Sequence, residues 1–361
     1  MDLDGQLLYL GTWPHQIIVF DSAQEKIVDR IDLKTDIPRT LVLSHDKKKL
    51  YANTLNDNAI VTIDLATDQV TGIFSLNSEN RNVRLNGITP DPGGRYLYGF
   101  GTTIIKQIDH YDIEPPKFYV IDLVDKKISR TADYPKDESS FGYRSSMKVS
   151  PDGKFLYLFR DNILIFDTSD FKLAKKIDLA KSPVAGMENV SLSAVDDPNE
   201  IPGTVTGFFN SSDPYVHRQV FGIAQIDLAK QTFVFTPVGP AEATNLQPLL
   251  LTPDRKVGYT VAIHGTQGNR RCEFWAFDIK SRKVIKKREF DGRVRFYFGL
   301  SADGTKVFIY GAGYQIEVYD AKTFELRSDV DVPGDITTNM VVMPLNTGMM
   351  AAIEHSASVA Q

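Results

Sequence analysis

The sequence predicts an all-β chain, a seven-bladed β-propeller closed by pairing its N- and C-terminal strands in one blade. Three observations predict it. A large apolar residue followed by Asp ends a short apolar run seven times: Phe20-Asp21, Ile63-Asp64, Ile121-Asp122, Phe166-Asp167, Ile226-Asp227, Phe277-Asp278 and Tyr319-Asp320. A repeat of about 40 to 60 residues marks a propeller or solenoid. A second series runs in phase with it, turns rich in Ser, Pro, Asp and Gly such as Ser150-Pro151-Asp152-Gly153, Thr252-Pro253-Asp254 and Ser301-Ala302-Asp303-Gly304. Looser copies are Ser44-His45-Asp46, Thr89-Pro90-Asp91 and the divergent Ala194-Val195-Asp196-Asp197. Finally, the first repeat lacks an inner strand and the last residues supply one.

Each repeat reads as four strands. The Ser/Pro/Asp turn ends an inner strand and starts a second, because these residues preset φ or satisfy backbone groups. Alternating runs such as Lys154-Phe155-Leu156-Tyr157-Leu158-Phe159 have strand period and the β-branched and aromatic enrichment of strands. The apolar-Asp pair ends the third strand, and a polar fourth strand follows, as in Lys283-Val284-Ile285-Lys286-Lys287-Arg288. Its Lys and Arg content discourages pairing at an exposed edge.

The chain begins inside a repeat. Leu7-Leu8-Tyr9-Leu10-Gly11 has the pattern of a second strand, Ile17-Ile18-Val19-Phe20 of a third, and Lys26 to Ile31 of a fourth. Thr338-Asn339-Met340-Val341-Val342-Met343 completes that blade as its inner strand. Residues 1–361 thus read as a single propeller domain, closed by about 6–33 with 336–344 and followed by a tail at 345–361. Closure of this kind leaves only short, protected edges.

Composition narrows the function. A net charge of -5 and a pI near 5.7, with Lys and Arg spread over the repeats, give no basic footprint for nucleic acid. No stretch has the apolar length of a membrane span, and Met1 to Gly5 lacks the basic start and apolar run of a secretory signal. The expected location is therefore the periplasm if a signal peptide was removed, and otherwise the cytoplasm. Cys272 is the one cysteine, so the chain offers no internal disulfide, CxxC pair or CxxCH haem attachment. The six histidines show no HxH or HExxH spacing, so no metal site is expected. There is no GxSxG elbow for a nucleophilic serine.

Propellers offer a central pocket lined where each innermost strand begins. Those positions carry Arg39, Arg84, Asn86, Arg144, Glu188, Asn189, Asn245, Gln247, Arg295, Tyr297, Thr337 and Asn339. Four arginines gathered at the channel mouth would clamp an anionic ligand or a partner's carboxylates by bidentate hydrogen bonds. The competing role for each residue is to bind channel water and neighbouring loop backbone. Two insertions add length on the same face: Thr102 to Lys117, with His110 and Tyr111, and Asn210 to Gln219, with Tyr215 and His217. Both read as long loops between second and third strands, where function concentrates.

At these residues the chain resembles a known family. Leu85-Asn86-Gly87-Ile88-Thr89-Pro90-Asp91, the insertion His110-Tyr111-Asp112-Ile113-Glu114-Pro115-Pro116, the strand Phe118-Tyr119-Val120-Ile121-Asp122 and Arg295-Phe296-Tyr297-Phe298-Gly299-Leu300-Ser301 are similar to the β subunit of quinohaemoprotein amine dehydrogenase. The repeat turns themselves are those of YVTN-type propellers generally. The resemblance implies a non-redox periplasmic subunit that helps wall a substrate cavity and docks a small subunit carrying cysteine tryptophylquinone, beside a dihaem cytochrome subunit. Quinone and haem c are then expected in the partner chains only, with a primary amine as substrate, and the family supplies no catalytic role for a propeller residue.

Three functions stay open on the sequence. One is the propeller subunit of an amine-oxidising complex. Another is a stand-alone enzyme acting on a small polar substrate at the channel mouth, with Glu188 transferring the proton and the arginines orienting the substrate. The third is a non-catalytic module that binds a protein or a small polar ligand on that face.

Overall fold

A strand apolar on both faces must be covered on both, and the second and third strands of this chain are of that kind. In the computed structural model, which describes residues 5–138, 146–159, 162–182, 185–192, 199–213, 215, 219–240, 243, 245–292, 295–311 and 313–345, Leu8–Thr12 and Ile17–Asp21 are buried at every position. The outer strand Lys127–Asp133 is mostly exposed. Seven antiparallel sheets form, and the architecture is a seven-bladed β-propeller.

Blade 1 is the closing blade. It joins Leu7–Thr12, Gln16–Asp21 and Lys26–Asp32 to Val341–Val342, with Leu8 opposite Val342 and Tyr9 opposite Val341. The closing ladder is shorter than the six-residue strand expected, because Thr338 turns its hydroxyl oxygen to accept the Gly11 N–H at 2.9 Å and a lone bridge follows at Thr12–Ile336. The inner strands of blades 2 to 7 are Pro38–Leu43, Arg81–Pro90, Ser146–Val149, Glu188–Leu192, the pair Asn245–Leu246 and Leu250–Leu251, and Tyr297–Leu300. Beyond Leu345, the expected tail lies outside the described residues, as do Ala194 to Asp197.

Seven apolar clusters fill the spaces between blades, one for each neighbouring pair. Phe274, Phe298 and Phe324 belong to the cluster between blades 6 and 7, together with the buried Cys272. Leu8, Phe20 and Phe308 belong to the one between blades 7 and 1. Every blade therefore buries both faces, which is the condition its doubly apolar strands impose.

The repeated Asp has a physical role. In each blade its carboxylate accepts backbone N–H groups two or three residues on, for example from Ala66 and Thr67 at Asp64 and from Lys322 and Thr323 at Asp320. Four residues after each Asp the chain takes a left-handed conformation: Glu25, Asp68, Lys126, Phe171, Gln231, Arg282 and Phe324 all have φ between 50° and 60°. A turn followed by a left-handed residue is a common hairpin connection, and the extra residue makes a bulge. In six blades the ladder shifts register just before the Asp, as between Val19 and Phe20.

Glycine would suit that conformation best, yet none of the seven is glycine. Four of the side chains reach the preceding blade. Asp68 accepts the Tyr9 hydroxyl at 3.1 Å. Phe171 stacks on Phe118 at 5.1 Å and meets Tyr98 edge-on, and Phe324 stacks on Phe274 at 5.2 Å and meets Tyr259 in the same way. Glu25 fastens the seam between blades 7 and 1, accepting Arg327 Nε and Ser328 Oγ at 2.7 Å each and pairing with Lys306 at 3.3 Å.

Two predictions follow from these turns. Arg282 is exposed, so Arg282→Val should cost about 1–2 kcal/mol for a β-branched residue forced left-handed, whereas Arg282→Gly should cost nothing measurable; urea midpoints read both. Hydrogen bonds to the turn carboxylates, from Asp125 N–H at Asp122, from Ser169 at Asp167, from Lys230 N–H at Asp227, from Ser281 at Asp278 and from Thr323 N–H at Asp320, hold their pKa values below the ordinary range. A depressed folded pKa means stability that is present above the unfolded value of about 3.9 and is lost as pH falls through the folded one. The urea midpoint should accordingly fall steeply below about pH 4, and Asp167→Asn should flatten that slope.

Candidate functional site

Inner strands are normally read by alternation, successive side chains going to the two neighbouring blades, as Leu41 and Val42 do. Register breaks alter that here. Pro38 pairs with Thr54 and Thr40 with Asn53, which leaves Arg39 as an extra residue. Asn86 is extra between the Leu85–Gly101 and Gly87–Phe100 pairs, and Asn189 between Glu188–Ser212 and Val190–Ser211. Gln247 stands between two short inner segments, donating its N–H to Val261 O at 2.9 Å and accepting Thr260 Oγ1 at 2.7 Å. Asn339, exposed, occupies the gap in the closing ladder. Bulges re-aim side chains and are over-represented near functional sites.

In blade 3 the bulge brings two backbones together. A Cβ on Gly101 would lie 2.1 Å from Arg84 O, so only glycine fits opposite it. Here Arg39 is buried and crosses from blade 2, donating Nη1 to Leu85 O at 2.7 Å and Nη2 to Asn86 Oδ1 at 3.2 Å. Asn53 Nδ2 reaches the same carbonyl at 3.5 Å. Arg39 and Asn86 thus join two blades, with guanidinium donors turned to protein.

The remaining expected residues that the structure describes lie on or beside the inner strands of blades 3, 5, 6 and 7. Arg84 is half-buried beside Asn86, while Glu188, Asn189 and Asn245 are exposed. Asn189 has φ 51°, left-handed for a residue type that tolerates it. Arg295 is exposed, donates to the Tyr297 hydroxyl at 3.2 Å and lies 5.9 Å from that ring's centre. Arg144 and His217 lie outside the described residues. Among the described residues no group of three or more His, Cys, Asp or Glu is placed to hold a metal ion.

The first insertion differs from the loop expected of it. Tyr96–Lys106 continues as a strand well past the blade, paired with Arg81–Pro90 on one side, and Tyr111–Ile113 folds back on its other side as a fifth strand. The base is tied by Glu114, which binds Lys117 at 3.0 Å and lies 3.6 Å from Arg81, while Thr102 Oγ1 donates to Glu114 O at 2.6 Å. The Lys117 ammonium keeps the Glu114 carboxyl below its usual pKa. At the tip His110 sits between Asp109 at 2.7 Å and Asp112 at 3.4 Å, and Gln107 donates to Asp112 at 2.7 Å. Ile108, Tyr111 and Ile113 are exposed by 106%, 63% and 69%, a degree that matters because these are among the largest apolar groups left in water. In blade 5 the second and third strands are likewise extended, to the Ser212–Gln219 pair, and Tyr215 stands exposed beyond them.

Two polar clusters escape sequence reading. On blade 6, Glu273 accepts Trp275 Nε1 at 2.8 Å and meets His264 Nε2 at 3.1 Å. Burial raises the Glu273 pKa, but these two contacts outweigh it and hold the carboxyl below its usual range. The signal is cross-strand register, since Ala262 pairs with Glu273 and His264 with Arg271, which puts all three on one sheet face. At the opposite end of the channel Lys148 of blade 4 meets Glu200 at 2.6 Å. Lys47, solvent-exposed but walled by protein, feels both charges, and desolvation pulls its pKa down.

No family model matches the chain, and no curated protein matches it. Solved structures do. A functionally unknown protein from Desulfotomaculum acetoxidans is similar with a TM-score of 0.57 at 13% identity, over 94% of this chain and 100% of that one. Dihydro-heme d1 dehydrogenase NirN, in complex with DHE, is similar with a TM-score of 0.54 at 13% identity, over 95% of this chain and 76% of the other. A eukaryotic initiation factor gives 0.53 at 11% identity, over 94% and 100%. At such identities the likeness shows the propeller fold alone.

If Arg39 is an inter-blade clamp, Arg39→Lys should destabilise the chain by about 1–3 kcal/mol, because one ammonium cannot satisfy both Leu85 O and Asn86. Arg295→Ala, at an exposed position, should stay within about 0.5 kcal/mol, and thermal unfolding distinguishes the two.

Proposed function

We propose that the chain is a non-catalytic propeller subunit that docks a protein partner on the face where the blade 3 and blade 5 extensions rise. The observation that carries this reading is the exposed set Ile108, Tyr111 and Ile113 on a braced strand extension beside the channel mouth. Large apolar side chains held rigidly in water favour a surface that becomes covered. The commitment of Arg39 to Leu85 O and Asn86 supports it, since that guanidinium serves the scaffold.

The resemblance to the β subunit of quinohaemoprotein amine dehydrogenase gives the finer form of the proposal. In that form the partners are a small subunit bearing cysteine tryptophylquinone and a dihaem cytochrome subunit, the assembly works in the periplasm, and this chain walls the cavity in which a primary amine is oxidised. The exposed mouth residues Asn245, Asn339 and Arg295 would then face the partner or the amine. A second reading, a stand-alone enzyme using Glu188, is favoured by the exposure of that carboxylate beside the bulge at Asn189, since bulges re-aim side chains near functional sites.

One experiment separates the readings. Co-expressed with quinone-bearing and dihaem subunits from neighbouring reading frames, the chain should co-purify with both, and amine-dependent dye reduction should need all three. The double substitution Ile108→Asp and Ile113→Asp should cut recovery of the complex by about tenfold without changing thermal unfolding of the chain. Failure to co-purify, with turnover by the isolated chain that Glu188→Gln abolishes, would replace the first reading with the second.

A further inference from the structure

We propose that Tyr111–Ile113 is an acceptor edge for a strand donated by a protein partner, one whose segment alternates apolar and basic side chains. The inference deepens the docking reading and rests on it.

The hydrogen-bond pattern identifies which groups are free for such a strand. Gln107 N–H donates to His110 O at 2.9 Å, and Glu114 N–H donates to Thr103 O at 2.9 Å. Between these two pairs, each joined by one such bond, the register places Asp112 opposite Ile105, a bonding position. In an antiparallel ladder exchanged pairs alternate with unexchanged ones, so Asp112 directs its N–H and C=O inward while Tyr111 and Ile113 direct theirs to the outer side. Among the described residues no strand lies beyond them, since Tyr111–Ile113 ends the strand order of its sheet. An added strand would meet two donors and two acceptors at strand spacing.

The edge also lacks a basic residue. Outer strands in five other places carry Lys or Arg: Lys26 and Arg30, Lys127 and Arg130, Lys175 and Lys176, Lys283 through Arg288, and Arg327. Such cations oppose accidental pairing. Tyr111–Ile113 has none, and its side chains divide by strand period, with Tyr111 and Ile113 on one face and Asp112 on the other.

Charge selects the partner. Asp109 and Asp112 are largely exposed and, among the described residues, meet the His110 imidazole but no Lys or Arg, while Glu114 is already matched by Lys117 and Arg81. A segment with Lys or Arg opposite Asp112, and Val, Ile or an aromatic residue opposite Tyr111 and Ile113, complements both faces. Cross-strand pairs of this type stabilise sheets, and like charges in the same place oppose them.

The test mixes the full chain with the blocked pentapeptide Val-Lys-Val-Lys-Val and follows backbone hydrogen exchange by NMR. At saturation the Tyr111 and Ile113 amides should exchange at least about tenfold more slowly while the Asp112 amide stays unchanged, and a glutamate version of the peptide should bind about tenfold more weakly. Asp112→Lys should reverse the order of the two peptides. Ile113→Pro, which removes one outward N–H, should weaken binding of the lysine peptide. Unchanged exchange at Tyr111 and Ile113, or an Asp112→Lys chain that keeps the original preference, would overturn the proposal. Neither partner subunit is in the tube, so a negative result removes the strand edge alone, whereas a failed co-purification removes the subunit reading alone.

Discussion

The structure depends on one constraint: every blade must hide both of its faces, and in this chain only a closed ring does so. The second and third strands are apolar on both sides, which leaves no face that water could cover cheaply. Seven interfaces between seven blades meet the requirement, the last lying between Phe308 of blade 7 and Phe20 of blade 1, edge to face at 6.0 Å. The left-handed turn residues are the fastenings of this ring. Asp68, Phe171, Phe324 and Glu25 each accept an unfavourable φ and reach into the blade before them, where a glycine would have nothing to offer.

The legible part of this fold was whatever a single strand or turn encodes in its own residues. The apolar-Asp pairs marked third-strand ends because Asp accepts the N–H groups of the next few residues, a local interaction. The Ser/Thr-x-Asp turns are local in the same way, with Ser150 Oγ donating to Asp152 at 2.6 Å and accepting Phe155 N–H at 3.0 Å. The left-handed positions are not legible, because Lys126, Gln231 or Arg282 carries no conformational signature. Nor are the bulges at Arg39, Asn86 and Asn189, because register belongs to a pair of strands, not to either one. Tyr111–Ile113 reads as loop because three residues give alternation too little length to register.

The same distinction governs the candidate site. Counting along an inner strand locates polar residues near its start, but the side chain of Arg39 turns to the adjacent blade because it is an inserted residue. His110 and Tyr111 are expected on that face from their insertion between a second and a third strand, and the extended pairing of Arg81–Pro90 with Tyr96–Lys106 leads the chain to them. His264 and Glu273, nine residues apart, needed the ladder itself to meet.

The seam at blade 1 also orders events in time. Three strands near the start of the chain wait with an uncovered inner edge until Val341 and Val342 arrive, more than three hundred residues later. A ribosome delivers the segments in that order, so the early strands leave the exit tunnel well before their mate is made. Their apolar surface therefore needs temporary shelter, from a chaperone or from blade 2, for most of the period of synthesis.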